Sequence, residues 1–166
     1  MTRKPNALPW LLLSALVIAL DQLSKWWALA ALQPEGMPHP VIPGFLNWTL
    51  AYNTGAAFNF LAWGDGWQRW VFVALALVIS AVLVAWLTRT ARRDWRTALP
   101  LALIIGGAIG NLIDRLHAAM VTDFIDVYFK HWHYATFNIA DCGITVGAVL
   151  LVAFGMFGGK ARNSVR

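Results

Sequence analysis

The sequence predicts an all-α integral membrane protein that forms a single domain with four transmembrane helices. Of its 166 residues, 59% are hydrophobic and only 13% are charged, and the mean hydropathy is +0.58. This composition is too apolar for an ordinary soluble domain. A membrane-spanning helix needs ~20 mostly apolar residues, and four segments meet that need when their flanks are included. We predict spans at about residues 9–30, 69–88, 97–115 and 138–158.

The first span contains two charged residues near its far end. Basic residues precede an apolar run from Leu8 to Leu20, as in a signal peptide. The apolar character resumes beyond Asp21 and Lys25 as far as Leu32, which is too long for the apolar core of a signal peptide. We therefore interpret the segment as an uncleaved helix, in which Asp21 and Lys25 lie one turn apart on one face and form an ion pair.

The two longer connections between spans carry strand signals. Residues 33–68 break the helical pattern with four prolines and several glycines. Within them, Phe45 to Tyr52 alternates and is rich in aromatic and β-branched residues, which predicts a short strand. Val121 to Phe129, in the connection before the fourth span, has the same character. We therefore expect a small amount of β-structure outside the membrane.

The distribution of basic residues predicts the orientation in the membrane. Nine of the thirteen Lys and Arg residues fall in segments 1–8, 89–96 and 159–166. Basic residues accumulate in short cytoplasmic segments, so we predict that both termini are cytoplasmic and that segments 31–68 and 116–137 are extracytoplasmic. Seven of the eight acidic residues then lie toward the outer face.

The sequence gives no indication of nucleic-acid binding, an intrachain disulfide or a metal site. The net charge of +5 comes from short basic clusters beside the spans. The sequence has no basic face with stacking aromatics, so it does not indicate nucleic-acid binding. The single cysteine, Cys142, excludes an intrachain disulfide. His131 and His133 lack a third ligand at suitable spacing, so we expect neither a metal nor another cofactor.

Polar residues cluster at the ends of the third and fourth spans. Asn111, Asp114 and Arg115 share one side of the third helix, and Asn138 and Asp141 are three residues apart at the start of the fourth. An acid within the hydrocarbon region is costly and marks a functional site by default. Two small-residue patterns, Gly106-x-x-x-Gly110 and Gly143-x-x-x-Gly147, lie beside this cluster and predict close packing of the two helices.

A third acid, Asp123, can join this cluster only if the connection before the fourth span folds back. Asp123 and Asp141 are eighteen residues apart and meet only if residues 116–136 cover the helix ends. Two carboxylates in contact do not both ionise easily, so one retains a proton while the other acts as a base toward water. Such a pair can hydrolyse a peptide bond.

A purely structural interpretation applies to Asp114, which we expect to pair with Arg115, and to Asp126, which we expect to be a solvated loop residue. Cys142 should face away from Asp141, because neighbouring helical residues point about 100° apart.

Five motifs in order resemble the bacterial lipoprotein signal peptidase (signal peptidase II) family of aspartic membrane peptidases. They are Asp21-Gln22-x-x-Lys25, Tyr52-Asn53-Thr54-Gly55-Ala56-Ala57-Phe58, Gly110-Asn111-x-x-Asp114-Arg115, Val121-x-Asp123-Phe124 and Phe137-Asn138-x-Ala140-Asp141. The resemblance implies four transmembrane helices with a small extracytoplasmic β-cradle and a loop helix. It also implies that Asp123 and Asp141 are the catalytic pair. The supporting and substrate-binding residues would be Asn53, Asn111, Arg115, Asn138, Asp114, Asp21 and Lys25.

The resemblance also implies a substrate and a location. The substrate would be a prolipoprotein with a lipobox, cleaved before a cysteine that already carries diacylglycerol. The enzyme would be a monomer in the bacterial cytoplasmic (inner) membrane, in contact with membrane lipid, with its active site toward the periplasmic face. Ala119 stands where the family usually has glycine, and Cys142 where serine is frequent. The alternatives are a small proton-coupled transporter and a non-catalytic membrane chaperone that uses the buried acids structurally.

Overall fold

The described part of the chain is mostly helical, with four helices that are long and apolar enough to cross a membrane. The computed structural model describes residues 6–55 and 67–157. The helices are α1 (Leu11–Ala31, preceded by a 3-10 turn at Leu8–Trp10), α2 (Trp67–Arg89), α3 (Trp95–Ala118) and α4 (Ile139–Phe157). Each overlaps one predicted span.

A four-stranded antiparallel sheet is built from the connections between the helices. Its strands are β1 (Pro38–Ile42), β2 (Leu46–Asn53), β3 (Val121–Phe129) and β4 (Trp132–His133), in that order across the sheet. β2 and β3 coincide with the two predicted strand segments. β1 was not predicted, because prolines interrupt it, and it lies at an edge where a missing N–H is tolerated. The described residues of these connections contain no helix, and residues 56–66, where the predicted loop helix could fall, lie outside the described residues.

Helix α3 is the central helix and contacts the other three. The buried residues of α1 recur at intervals of three or four and include Ser14, Asp21 and Lys25. This spacing places them on one face of the helix, and the Ser14 hydroxyl donates a 2.7 Å hydrogen bond to the carbonyl oxygen of Ala102 in α3. The opposite face of α1 carries exposed leucines, as expected for contact with lipid.

Glycines allow the central helices to approach closely, although Gly106, which belongs to one of the predicted patterns, contacts α1 rather than α4. A Cβ atom at Gly107 would overlap the carbonyl oxygen of Ala140, and one at Gly147 would lie 2.8 Å from the carbonyl oxygen of Pro100. The predicted close packing of α3 on α4 is therefore confirmed. Gly106 instead faces α1, since its Cβ would lie 2.9 Å from the carbonyl oxygen of Ser14. Gly110 contacts both α1 and α4.

The sheet is held against the end of α1 by aromatic packing. Trp27 of α1 packs edge-on against Trp48 of β2 and Phe124 of β3, with ring centroids 5.9 and 6.2 Å away. Ala28, Leu32, Leu50 and Phe124 form a buried apolar cluster beneath these rings. This packing places β3 directly over the ends of α1 and α3.

Candidate active site

Asp123 enters the site from β3 and is almost completely buried. It pairs with Ala51 across the sheet, and its exposed fraction is 1%. Further along β3, a bridge between Ile125 and Phe137 ties the strand to the segment that precedes α4. The backbone N–H groups of Phe124 and Ile125 both donate to the carbonyl oxygen of Phe137, at 3.1 and 2.9 Å. The residue after Phe137 is therefore brought next to Asp123.

Asp141 is oriented by the start of helix α4. The Asn138 side-chain oxygen accepts from the Asp141 backbone N–H at 3.0 Å, and the Asp141 carboxylate accepts from the Asn138 backbone N–H at 3.2 Å. These reciprocal bonds form a capping box, in which two otherwise unsatisfied N–H groups at a helix start are paired. The carboxylate oxygens therefore lie against the backbone N–H groups at the helix start.

Asn138 joins the two carboxylates. Its side-chain Nδ2 donates to Asp123 Oδ1 at 2.6 Å, while its backbone N–H donates to Asp141. The 116–136 connection thus folds back over the helix ends, and Asp123 and Asp141 share one partner. Burial, followed by the negative charge of Asp141, raises the pKa of Asp123 to about 6, against the lowering effect of hydrogen bonds from Asn138 and Asn53.

A second amide, Asn111 of α3, connects Asp141 to the charges on α1. Asn111 Nδ2 donates to Asp141 Oδ1 at 2.7 Å. Its Oδ1 accepts from Lys25 Nζ at 3.0 Å and from Asn138 Nδ2 at 3.2 Å. The polar residues of α1, α3 and α4 are therefore part of one hydrogen-bonded network.

Lys25 forms two buried ion pairs. Its Nζ lies 2.8 Å from Asp21 Oδ2 and 2.9 Å from Asp114 Oδ2. The predicted Asp21–Lys25 pair is present. The close partner of Asp114 in the described residues is Lys25 rather than the predicted Arg115, which interacts with Asp114 only at longer range. Consecutive helical residues point about 100° apart, so Asp114 faces α1 while the Arg115 guanidinium lies 4.9 Å from the ring centroid of Phe72 in α2.

The remaining predicted supporting residues also lie around the carboxylates. Arg115 donates to the carbonyl oxygen of Asn111 at 3.4 Å and interacts electrostatically with both Asp141 and Asp123. The Asn53 side chain, at the end of β2, hydrogen-bonds Asp123. Asp21 Oδ1 accepts the backbone N–H of Ala140 at 2.8 Å, so α1 also stabilises the start of α4.

Asp126 is not the solvated loop residue that we expected. It is 3% exposed and accepts hydrogen bonds from Asn47 Nδ2 at 3.0 Å, Thr49 Oγ1 at 3.2 Å and His133 Nδ1 at 2.8 Å. Burial alone would raise its pKa, but the bonds from Asn47, His133 and Thr49 together hold the pKa below its usual value. Asn47 stands opposite Asp126 in the sheet register, a pairing that a single sequence does not reveal.

Two residues of the network were given no role in the sequence analysis, although Gln22 stands in one of the five motifs. Gln22 Nε2 donates to Asp114 Oδ1 at 2.9 Å and to the carbonyl oxygen of Gly110 at 3.2 Å. The backbone N–H of Thr122 donates to Asp114 Oδ2 at 3.1 Å. Gln22 could have been found, because it is a polar residue beside Asp21 in an apolar helix. The Thr122 contact depends on its backbone, so its side chain gives no signal.

A cavity of about 500 Å³ borders Asp141. Its other lining residues are Asn53, Tyr134, Ala135, Thr136, Phe137, Cys142, Thr145 and Val146. The expectation that Cys142 faces away from Asp141 is wrong, because the cavity extends along α4 and is wide enough to include both neighbours. Val146 is 50% exposed, so the cavity reaches the face of α4 that is open to lipid.

Four helices able to span a membrane, with two carboxylates joined through Asn138 and one of them beside a cavity, are the features of a membrane aspartic peptidase. The family model for signal peptidase (SPase) II matches residues 13–157. Lipoprotein signal peptidases from Xanthomonas campestris pv. campestris (strain 8004) and Xylella fastidiosa (strain M12) are 57% and 55% identical over 162 residues, which cover 96% of both chains in each case. The chain belongs to the signal peptidase II family and is an aspartic peptidase.

Solved structures of bacterial membrane enzymes share this fold. One bacterial membrane enzyme is 27% identical, with a TM-score of 0.81 over 99% of each chain. Another is 29% identical, with a TM-score of 0.79 over 95% of this chain and 99% of the other. These findings give no support to the transporter or chaperone alternatives.

Proposed function

We propose that Asp123 and Asp141 are the catalytic pair of this signal peptidase, which removes the signal peptide from prolipoproteins. The observation that carries the proposal is that Asn138 donates to both carboxylates, at 2.6 Å to Asp123 and 3.2 Å to Asp141. The two environments differ, because Asp123 is buried on β3 whereas Asp141 accepts N–H groups at the start of α4, and carboxylates in different environments are suited to separate acid and base roles.

We assign one role to each acid from its environment. We take Asp141, whose two oxygens accept N–H groups from Asn111 and Asn138, as the base. Asp123 is buried beside Asp141 and its pKa is raised to about 6, so we take it as the group that carries the proton. Asp141 takes a proton from water, the oxygen attacks the scissile carbonyl carbon, and Asp123 protonates the carbonyl oxygen. Asp141 then protonates the leaving nitrogen while Asp123 recovers its proton as the tetrahedral intermediate collapses.

The substrate occupies the cavity beside α4 in this proposal. The scissile bond lies at Asp141, and the diacylglyceryl cysteine of the lipobox directs its acyl chains past Val146 into lipid. The exposed apolar surface of α4 supports this arrangement, since Val149 and Val152 are 62% and 61% exposed. Asn53 and Arg115 flank the reacting bond, and the chemistry requires no cofactor or metal.

A cleavage assay on a diacylglyceryl-modified prolipoprotein in membranes tests the pair. Asp123→Asn and Asp141→Asn preserve shape but remove acid–base function, so each should lose at least ~10²-fold in rate. Because the two residues act as a unit, the double variant should be scarcely slower than either single one.

Glu35→Gln is the matched control, since Glu35 is exposed and accepts only a backbone N–H from Tyr52 at 3.3 Å in the described part of the chain. It should cleave at the wild-type rate. A normally abundant Asp123→Asn or Asp141→Asn variant with more than a tenth of wild-type activity would show that the chemistry lies elsewhere.

The orientation in the membrane is a separate part of the proposal. The basic clusters support cytoplasmic termini, a location in the bacterial inner membrane and an active site toward the periplasmic face. We take the functional unit to be a monomer. Reporter fusions after residue 92 should report a cytoplasmic location, and fusions near residues 40 and 132 a periplasmic one. The opposite result at residue 92 would place the carboxylates on the wrong side.

A further inference from the structure

Lys25 uses all of its hydrogen-bonding capacity inside the protein. It is 3% exposed, and its Nζ contacts Asp21 at 2.8 Å, Asp114 at 2.9 Å and Asn111 Oδ1 at 3.0 Å. An ammonium group has three donors and no acceptor. Two of its partners are carboxylates, which hold its charge in place, and the third is the amide that also contacts Asp141.

This contact determines which way the Asn111 amide points. Because Lys25 only donates, the amide oxygen must face Lys25, and the amide nitrogen therefore faces Asp141 Oδ1 at 2.7 Å. The same oxygen accepts from Asn138 Nδ2 at 3.2 Å. A reversed amide would place its N–H groups against those of Lys25 and Asn138, and its oxygen against the Asp141 carboxylate. Only the observed orientation satisfies Lys25, Asn138 and Asp141 together.

We propose that Lys25 is a positioning residue that fixes the Asn111 amide so that its N–H donates to the Asp141 carboxylate oxygen, the group proposed above as the base. The inference rests on the catalytic roles proposed above for Asp123 and Asp141. Lys25 lies on α1 and acts on the reaction through Asn111, without contact between its own side chain and the Asp141 carboxylate in the network described.

The charged groups around Asp141 come from three neighbouring elements. Asp123 on β3 disfavours a second negative charge, whereas Arg115 on α3 interacts favourably with Asp141. Asp21 on α1 and Asp114 on α3 lie behind Lys25. A test of Lys25 must therefore separate its effect through Asn111 from the general electrostatic effect of removing a charge.

The pH dependence of kcat/KM provides the test, because its acid limb reports the ionisation of the base. Lys25→Met should move this limb upward by about one to two pH units, the shift expected when a carboxylate loses a hydrogen bond of the charged type. Asp114→Asn is the comparison variant: it also breaks a buried ion pair, but it removes a negative charge and should not raise the limb. A merely structural role for Lys25 would lower abundance in both variants and move the limb in neither.

Two double variants complete the experiment. Lys25→Met leaves two buried carboxylates without a counter-ion, which can prevent folding. Lys25→Met in the Asp114→Asn background leaves Asp21 as the one carboxylate of the two without a counter-ion. The acid limb of kcat/KM should then lie about one to two pH units higher than in Asp114→Asn alone. In an Asn111→Leu background, where the amide is absent, Lys25→Met should cause no further shift.

The proposal is overturned if the limb stays in place when Lys25 is replaced in the Asp114→Asn background. It is also overturned if Lys25→Met shifts the limb as far without Asn111 as with it, since the effect would then be direct. An active Asp141→Asn variant would instead refute the assigned role of Asp141, so the two failures are distinguishable.

Discussion

Gly107 is the position where a single methyl group should most directly disturb the site. A Cβ atom there would overlap the carbonyl oxygen of Ala140, whereas real Cβ atoms essentially never approach other heavy atoms more closely than 3.0 Å. Ala140 lies between Asn138, which joins the two carboxylates, and Asp141. Gly107→Ala must therefore push the start of α4 away from α3, and the geometry of the proposed catalytic pair moves with it.

The size of the effect follows from the displacement. Restoring an ordinary contact requires α4 to move by roughly 1 Å, and a misplacement of that size at a reacting centre costs ~10²-fold in rate. Overpacking of this kind also destabilises a protein by about 1–3 kcal/mol. We expect Gly107→Ala to insert into membranes, to cleave a diacylglyceryl-modified prolipoprotein about 10²-fold more slowly, and to unfold at a lower temperature in detergent.

Gly155→Ala is the matched control on α4. A Cβ atom at Gly155 would meet nothing within 4 Å, so the change adds the same methyl group to a helix without a steric clash. Its activity should equal that of the wild type, and its stability should be unchanged or higher by up to ~1 kcal/mol because alanine favours helix. If Gly107→Ala matched Gly155→Ala in both rate and unfolding temperature, the helices would not be packed as described.

Three further predictions concern other parts of the site. Ala119 caps the end of α3 with φ of 61°, a left-handed conformation that costs a residue with a Cβ atom about 1 kcal/mol. Ala119→Gly should therefore raise the unfolding temperature. A lower unfolding temperature would show that the methyl group contributes to packing. In the proposed mechanism Asp123 must be protonated to act as the acid, and its pKa is raised to about 6. The value of kcat/KM should therefore decline as the pH rises through about 6. A decline centred on the ordinary carboxyl value of 3.8 would exclude this residue as the acid. Cys142 lines the cavity beside Asp141 but has no role in the proposed chemistry, so Cys142→Ser should retain activity. A bulky thiol reagent should inhibit the wild type and leave Cys142→Ser active. Inhibition of Cys142→Ser as well would show that the reagent acts at another residue.

The raised pKa of Asp123 also links the stability of the fold to pH. Its pKa in the folded protein, about 6, exceeds its ordinary value of 3.8. The contribution of this group to stability is therefore fully present below pH 3.8 and is lost as the pH rises through about 6. Asp123→Asn removes this dependence, since the amide does not titrate in that range.

The features that the sequence by itself determined are those set by local chemistry. Long apolar segments are helical in a membrane because every backbone polar group must be paired within the segment, and this accounts for the four helices. Alternation predicted β2 and β3, and the spacing of Asp21 and Lys25 predicted their ion pair. The motif around Asn138 and Asp141 is local as well, because a capping box needs only residues three apart.

The tertiary structure alone decided which distant polar groups meet. Asp114 pairs with Lys25 and Gln22 of another helix rather than with its neighbour Arg115. Asp126 is buried because the sheet register places Asn47 opposite it. Asp123 reaches Asp141 through Asn138 because the bridge from Ile125 to Phe137 returns the chain to the start of α4. Each of these contacts joins residues that are far apart in the chain or depends on backbone direction, so packing geometry selects the partner among several chemically equivalent groups.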